Sequence, residues 1–203
     1  LQHILQQIAA LGRTQQIACD LALLAQGSRC GQWLRPFEQI EGRVEYVRGR
    51  VTQQTGATLG HIQLVRRFLV ALDRQLDPAK WLVGTNDRAV ETDDTIRYPD
   101  IVVEPVGADR KSLSTTDPAL IIEILSPSST DRDLDVKPAE YFSFAGLQAY
   151  IVTSQDEPAC FVWARDETGA FPSEPETVKG KQETIEVPSL GVSLSLAEIY
   201  QRL

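Results

Sequence analysis

The sequence predicts a mixed α/β domain, a mixed β-sheet flanked by helices, and three observations carry that prediction. Ile62, Val65, Leu69, Leu72 and Leu76 recur at steps of three and four, the period of an amphipathic helix. Ala119 to Leu125 is an apolar run broken by a single glutamate, as expected of a central strand covered on both faces. Around these segments the apolar pattern shortens to strand-like runs separated by turn residues. The order is helices, hairpin, helix, strands, central strand, helix, strands, which fits one mixed sheet with helices against it.

The elements follow in chain order. Leu1, Ile4, Leu5 and Ile8, then Ile17, Leu21 and Leu24, suggest two short amphipathic helices ending near Gly27. Residues 1–41 thus form an N-terminal helical segment, and 42–203 a separate domain. The apolar faces of that segment can dock on the same chain or on a second copy, as in a homodimer. Val44, Tyr46, Val47 and Val51 flank Arg48-Gly49, the pattern of a tight hairpin. The long helix spans about Leu59 to Leu76 and stops before Pro78. Trp81–Thr92 and Thr95–Glu104 suggest two strands joined at Asp93-Asp94. A helix is expected from about Pro138 to Ala145, stopped by Gly146. Strands follow at Ala149–Thr153 and Cys160–Ala164. A polar loop covers Asp166–Lys181, with a last strand at Thr184–Val187 and a last helix at Leu196–Leu203.

Composition narrows the function classes. The chain has 203 residues, 42% hydrophobic and 24% charged, which suits an ordinary globular domain. No apolar run reaches the roughly 18 residues of a membrane span. The apolar stretch Ala18–Ala25 contains Asp20 and lacks the flanks of a signal peptide, so a cytoplasmic protein is expected. Cys19, Cys30 and Cys160 are widely spaced and odd in number, which argues against a disulfide framework. With only His3 and His61 to offer imidazole, a histidine-rich zinc site is nearly excluded. The net charge of −8 runs against a general nucleic-acid binder, whose affinity rests on a basic footprint. A metal-using hydrolase can be acidic overall and still bind phosphate locally.

Glu123 is the informative residue. It lies inside the most apolar strand, where a carboxylate is costly unless paired or metal-bound. It could pair with a buried Arg or Lys, or it could serve a reaction centre. Asp100, in Tyr98-Pro99-Asp100-Ile101-Val102-Val103, adds a second carboxylate at the start of another apolar strand. If the two strands are neighbours, the carboxylates converge and repel unless a cation holds them. Oxygen ligands select a hard ion, Mg²⁺ or Mn²⁺. Such an ion with a nearby lysine is the equipment for phosphodiester hydrolysis. Lys137 is the candidate, its plain alternative being a solvated lysine beside acids.

These residues resemble a known family. Pro99-Asp100, Glu123-Ile124-Leu125-Ser126-Pro127-Ser128, Asp133, Lys137 and Tyr141 are similar to the “putative restriction endonuclease” family of small bacterial proteins. That family is abundant in cyanobacteria and belongs to the PD-(D/E)XK nuclease superfamily. Glu45-Tyr46, Gly49, Thr55-Gly56-Ala57, His61, Leu190-Gly191 and Leu196 to Tyr200 extend the similarity over roughly residues 42–203. The resemblance implies a restriction-endonuclease-like core, a divalent metal and a DNA substrate. It implies that Asp100, Glu123 and the main-chain carbonyl of Ile124 are metal ligands, that Lys137 is catalytic and that Glu45 is an auxiliary acid. The alternative for Glu45 is a half-exposed strand residue.

The superfamily motif has its lysine two residues after the glutamate, and here that position is Leu125. Pro138 puts Lys137 at a helix start or just before it, where the helix dipole repels a cation. Ser126 and Ser128 lack a His/Asp partnership for nucleophilic catalysis, and Gly56 and Gly60 form no phosphate loop. His61 reads as a capping or packing residue. Arg97, Arg110 and Lys111 read as loop charges that could line a DNA groove. Two functions remain: a metal-dependent DNA endonuclease, and a non-catalytic binding or assembly module that keeps the fold.

Overall fold

The computed structural model describes residues 44–48, 50–53, 56–107, 109, 111–125 and 132–201. The helices expected over residues 1–27 lie outside this range. The hairpin forms where the sequence places it, with β1 (Val44–Val47) antiparallel to β2 (Arg50–Gln53). Helix α1 (Leu59–Asp73) starts at Thr58, whose hydroxyl accepts the N–H of His61, a side-chain cap of an otherwise orphan donor. It ends three residues before the expected Leu76. Gln75 and Leu76 both donate to the Leu72 carbonyl, closing the last turn, and Leu76 stays buried.

The two strands expected over Trp81–Thr92 and Thr95–Glu104 are each broken in two. The pieces are β3 (Trp81–Thr85) and β4 (Ala89–Glu91), then β5 (Thr95–Arg97) and β6 (Ile101–Pro105). β4 and β5 belong to a five-stranded sheet in the order β2-β1-β5-β4-β7, where β7 is Ser114–Thr115. β3 and β6 belong to a six-stranded sheet. A single hairpin therefore leaves one sheet and enters the other, and both of its arms bend at the same level. Pro99 sits in the bend of one arm and cannot donate to a ladder. On the other arm, a Cβ at Gly84 would come within 2.9 Å of Arg88 Cβ, so the chain folds back tightly there.

The six-stranded sheet is completed by β8 (Leu120–Ile124), β9 (Ala149–Thr153), β10 (Ala159–Ala164) and β11 (Glu176–Lys179), in the order β11-β10-β9-β8-β6-β3. β8 runs antiparallel to β6 and parallel to β9, so the sheet is mixed. Both faces are covered, as the apolar run predicts. Leu120, Ile122 and Ile124 join a core with Leu64, Phe68 and Leu72 of α1. Ile121 lies on the opposite face among Tyr141, Phe144, Tyr150 and Trp163. Alternation along β8 puts Glu123 on this aromatic side.

Three further expectations change. The helix expected at Pro138–Ala145 begins earlier and ends sooner: a π-helical turn (Arg132–Val136) runs into α2 (Lys137–Tyr141). Pro138 has no N–H to give one turn back, and the widened turn before it accommodates that loss. The loop over Asp166–Lys181 contains β11, an edge strand whose only buried residue is Val178, too little for a periodic signal. The last helix, α3 (Leu196–Ile199), is short. It follows β12 (Thr184–Val187) and β13 (Val192–Ser195), a separate two-stranded sheet that completes the α1 core.

Candidate active site

The site lies where β6 begins and β8 ends. Ile101 pairs with Ile122, so one step further along the ladder Asp100 comes opposite Glu123. The two strands are neighbours, as convergence of the carboxylates requires. Asp100 is held by three donors. The backbone N–H of Ile124 reaches Oδ2 at 2.8 Å, His61 Nε2 lies 2.9 Å from Oδ1, and Asn86 Nδ2 donates to Oδ1 at 3.4 Å. The bend in the hairpin supplies Asn86 and Asp100 together, and the capped first turn of α1 supplies His61.

Glu123 is buried, and its Oε1 accepts from Lys137 Nζ at 2.6 Å and from the Tyr141 hydroxyl at 3.0 Å. The plain reading, a buried glutamate paired with a lysine, is therefore part of the picture. Lys137 is itself 5% exposed, which removes the solvated-lysine alternative. The π turn extends the helical run back to Arg132, so Lys137 is not at an open helix start as Pro138 suggested. It has a second acidic neighbour. Asp133 Oδ1 is 2.8 Å away, close enough for a strong charge contact but poorly angled for a hydrogen bond among the described residues.

Glu123 and Asp133 share the Lys137 ammonium, and Asp100 adds a further carboxylate close to Glu123. Burial pushes the Glu123 carboxyl up from its ordinary 4.5 to about 8, against the pull of Lys137 and with Asp133 and Asp100 adding to the rise. Burial works against the Lys137 charge as well, but Glu123, Asp133 and Glu45 outweigh it and hold Lys137 above its ordinary range. The lysine carries the charge of the pair, because Glu123, Asp133 and Glu45 all favour it, while burial and two neighbouring carboxylates disfavour a charge on Glu123.

Glu45 is buried rather than half-exposed. Arg97 binds it through Nη1 at 3.0 Å and binds Glu140 of α2 through Nε and Nη2 at 2.8 and 2.9 Å. Arg97 is thus no loop charge lining a groove: it is 3% exposed and joins β1, β5 and α2. Its role was hidden because its partners are far away in sequence. The signal that could have found Glu140 and Asp133 is helical spacing around Lys137, which places acids three and four residues away on one face. His61, expected to cap or pack, has a polar partner in Asp100. Lys111 is exposed. Arg110, Ser126 and Ser128 lie outside the described residues.

Among the described residues, no three acidic, imidazole or thiol groups are gathered as a metal centre. Asp100 and Glu123 stand opposite each other on neighbouring strands, close enough to raise the Glu123 carboxyl, and both offer oxygen donors. That fits a hard divalent ion, which is often held by one or two carboxylates and keeps several waters. Also among these residues, no helix is long and apolar enough to cross a membrane.

A mixed sheet with a long helix on one face and an acidic pair on adjacent inner strands defines the restriction-endonuclease-like class of α/β proteins. The particular family follows from comparison: residues 32–197 match the Uma2 family, described as “Putative restriction endonuclease”, and the chain belongs to it. Two uncharacterized proteins of Synechocystis sp. are similar to it. One is 26% identical over 61% of this chain and 73% of its own length, the other 25% identical over 85% and 90%. The crystal structure of a putative nuclease from Anabaena variabilis superposes with a TM-score of 0.65 at 18% identity, covering 82% of this chain and 96% of that one. At that identity the likeness speaks for the fold.

Proposed function

We propose that the protein is a metal-dependent endonuclease acting on DNA, with Mg²⁺ or Mn²⁺ held by Asp100, Glu123 and the main-chain carbonyl of Ile124. The observation that carries this reading is the buried Glu123–Lys137 pair beside Asp100, at the meeting of β6 and β8. When bound, the cation supplies Lewis acidity toward a phosphate and a more acidic water. Asp100 is preset for such a role, because His61, Asn86 and the Ile124 N–H fix the carboxylate before any ligand arrives. Lys137 supplies positive charge for the pentacoordinate phosphate in a setting where water does not screen it. Glu45 acts one step back, as an auxiliary acid tied to α2 through Arg97 and Glu140.

The test is cleavage of supercoiled and single-stranded DNA with Mg²⁺ or Mn²⁺, using Glu123→Ala as control. Metal-dependent nicking that disappears in the variant supports the reading. A folded protein that neither nicks DNA nor binds Mn²⁺ in calorimetry would sink it. The second reading, a non-catalytic binding or assembly module, is favoured by one observation, the net charge of −8. It would take over in that case, and the association state of the full chain would be the next measurement.

A further inference from the structure

We propose that Asp133 is a second seat for the Lys137 ammonium, which lets Glu123 turn to a cation without leaving a buried lysine unpaired. The inference rests on the proposed metal site and adds a positioning residue to it. Lys137 Nζ lies between two carboxylate oxygens at nearly equal distances, Glu123 Oε1 at 2.6 Å and Asp133 Oδ1 at 2.8 Å. The first contact has full hydrogen-bond geometry; the second is equally short but poorly angled. Asp133 is 1% exposed, and its Oδ1 is the one buried side-chain polar atom among the described residues without a hydrogen-bond partner. An acceptor left idle in the interior is costly, and such an atom calls for an explanation.

The local structure explains it. The widened π turn carries Asp133 four residues before Lys137, and the turn is anchored where Tyr150 donates to the Asp133 carbonyl at 2.8 Å. The backbone of Asp133 is thereby held beside the ammonium, with its Oδ1 at a short but poorly angled contact. A cation on Glu123 competes with Lys137 for the same carboxylate. A buried ammonium that loses its one hydrogen-bonded partner among the described residues is strongly destabilised, so the cation would have to overcome that loss. A small rotation of the lysine side chain brings an N–H into line with Asp133 Oδ1 and removes the penalty. Lys137 then keeps its charge and stays beside the site, and Glu123 is released as a ligand. Asp133 acts through Lys137 and does not touch the cation.

The experiment titrates the full-length protein with Mg²⁺. Binding is followed by calorimetry, and the Lys137 ammonium by ¹⁵N NMR with couplings across its hydrogen bonds. The coupling is expected to pass from the Glu123 carboxylate to that of Asp133 as Mg²⁺ saturates. Asp133→Asn is expected to weaken binding about 10- to 100-fold, the usual effect of losing a group that supports a ligand. Asp133→Glu is expected to restore most of it. In a Lys137→Met background the Asp133→Asn effect is expected to fall several-fold, because the group through which Asp133 acts is gone. A Lys137 coupling that stays with Glu123 at saturation overturns the proposal, and this measurement needs no variant to fold. An undiminished Asp133→Asn effect in the Lys137→Met protein also overturns it, assigning Asp133 to the cation itself. Wild-type protein that binds no Mg²⁺ overturns the metal site and this inference together, whereas Asp133→Asn binding like wild type overturns the inference alone.

Discussion

His61 Nε2 on α1 stands 2.9 Å from Asp100 Oδ1 at the start of β6, joining the first turn of the long helix to the bend between the two sheets. Both groups are nearly buried, so the contact is protected from solvent. It fixes one oxygen of a carboxylate whose other oxygen is fixed by the Ile124 N–H.

His61→Ala is therefore expected to leave the fold intact and weaken Mn²⁺ binding about 10- to 100-fold. His61→Asn, which can still donate a hydrogen bond, should recover part of the loss. Calorimetric affinities for the two variants check this. Equal affinity for His61→Ala and wild type would reduce the contact to packing.

Glu123 is expected to cost stability near neutral pH. Its folded-state value is raised from 4.5 to about 8. Below 4.5 the carboxyl is neutral in both states and its contribution is fully present. Between 4.5 and 8 the unfolded chain ionises while the folded chain resists, so stability falls as pH rises through this window. Glu123→Gln removes the titration and leaves Lys137 with Asp133. Its melting temperature should exceed wild type by several degrees at pH 8, at about 2–4 °C per kcal/mol for a chain of this size. At pH 4.5 the difference should shrink. A difference that stays constant across this range would count against the raised value.

Arg97 satisfies two buried acids from different elements. Arg97→Met takes away a buried cation shared by Glu45 and Glu140, and a loss of about 3–5 kcal/mol is expected from urea unfolding. Arg97→Lys should recover only part of it, since an ammonium cannot reproduce the two-pronged contact with Glu140. Full recovery by lysine would show that charge alone matters at this joint.

The sequence made the central features legible because they produce local signals. The β8 run with Glu123 inside it and the α1 period are readable in the sequence, and Pro99-Asp100 marks the start of an apolar strand, though the helix ends three residues early and the preceding strand breaks at Pro99. Other features depend on partners far along the chain. The break between β3 and β4 does carry turn residues, Gly84-Thr85-Asn86-Asp87, closed by the Arg88 N–H on the Thr85 carbonyl, but a local turn signal does not say that the chain changes sheet there. Arg97 looked like a loop charge because neither of its partners, Glu45 and Glu140, is near it in sequence. Lys137 looked badly placed because Pro138 reads as a helix start, and a π turn before a proline leaves no mark in the residue pattern.

Lys137 offers the clearest separation of binding from chemistry. Methionine matches its length and apolar stem but carries no charge. In Lys137→Met the cation no longer competes with an ammonium for Glu123, so Mn²⁺ affinity is expected to equal or exceed wild type. The positive charge that would face the phosphate is absent, so the cleavage rate at saturating metal should fall about 10²- to 10³-fold, the range seen when one preorganised electrostatic group is removed. Lys137→Arg is not an equivalent replacement, because a planar guanidinium does not fit between Glu123 and Asp133 at 2.6 and 2.8 Å without displacing one of them. Single-turnover cleavage and calorimetry on the same Lys137→Met preparation decide the matter. Intact binding with lost turnover assigns the lysine to the reaction. Lost binding would mean that its charge holds the two acids in place, and its role would then be structural.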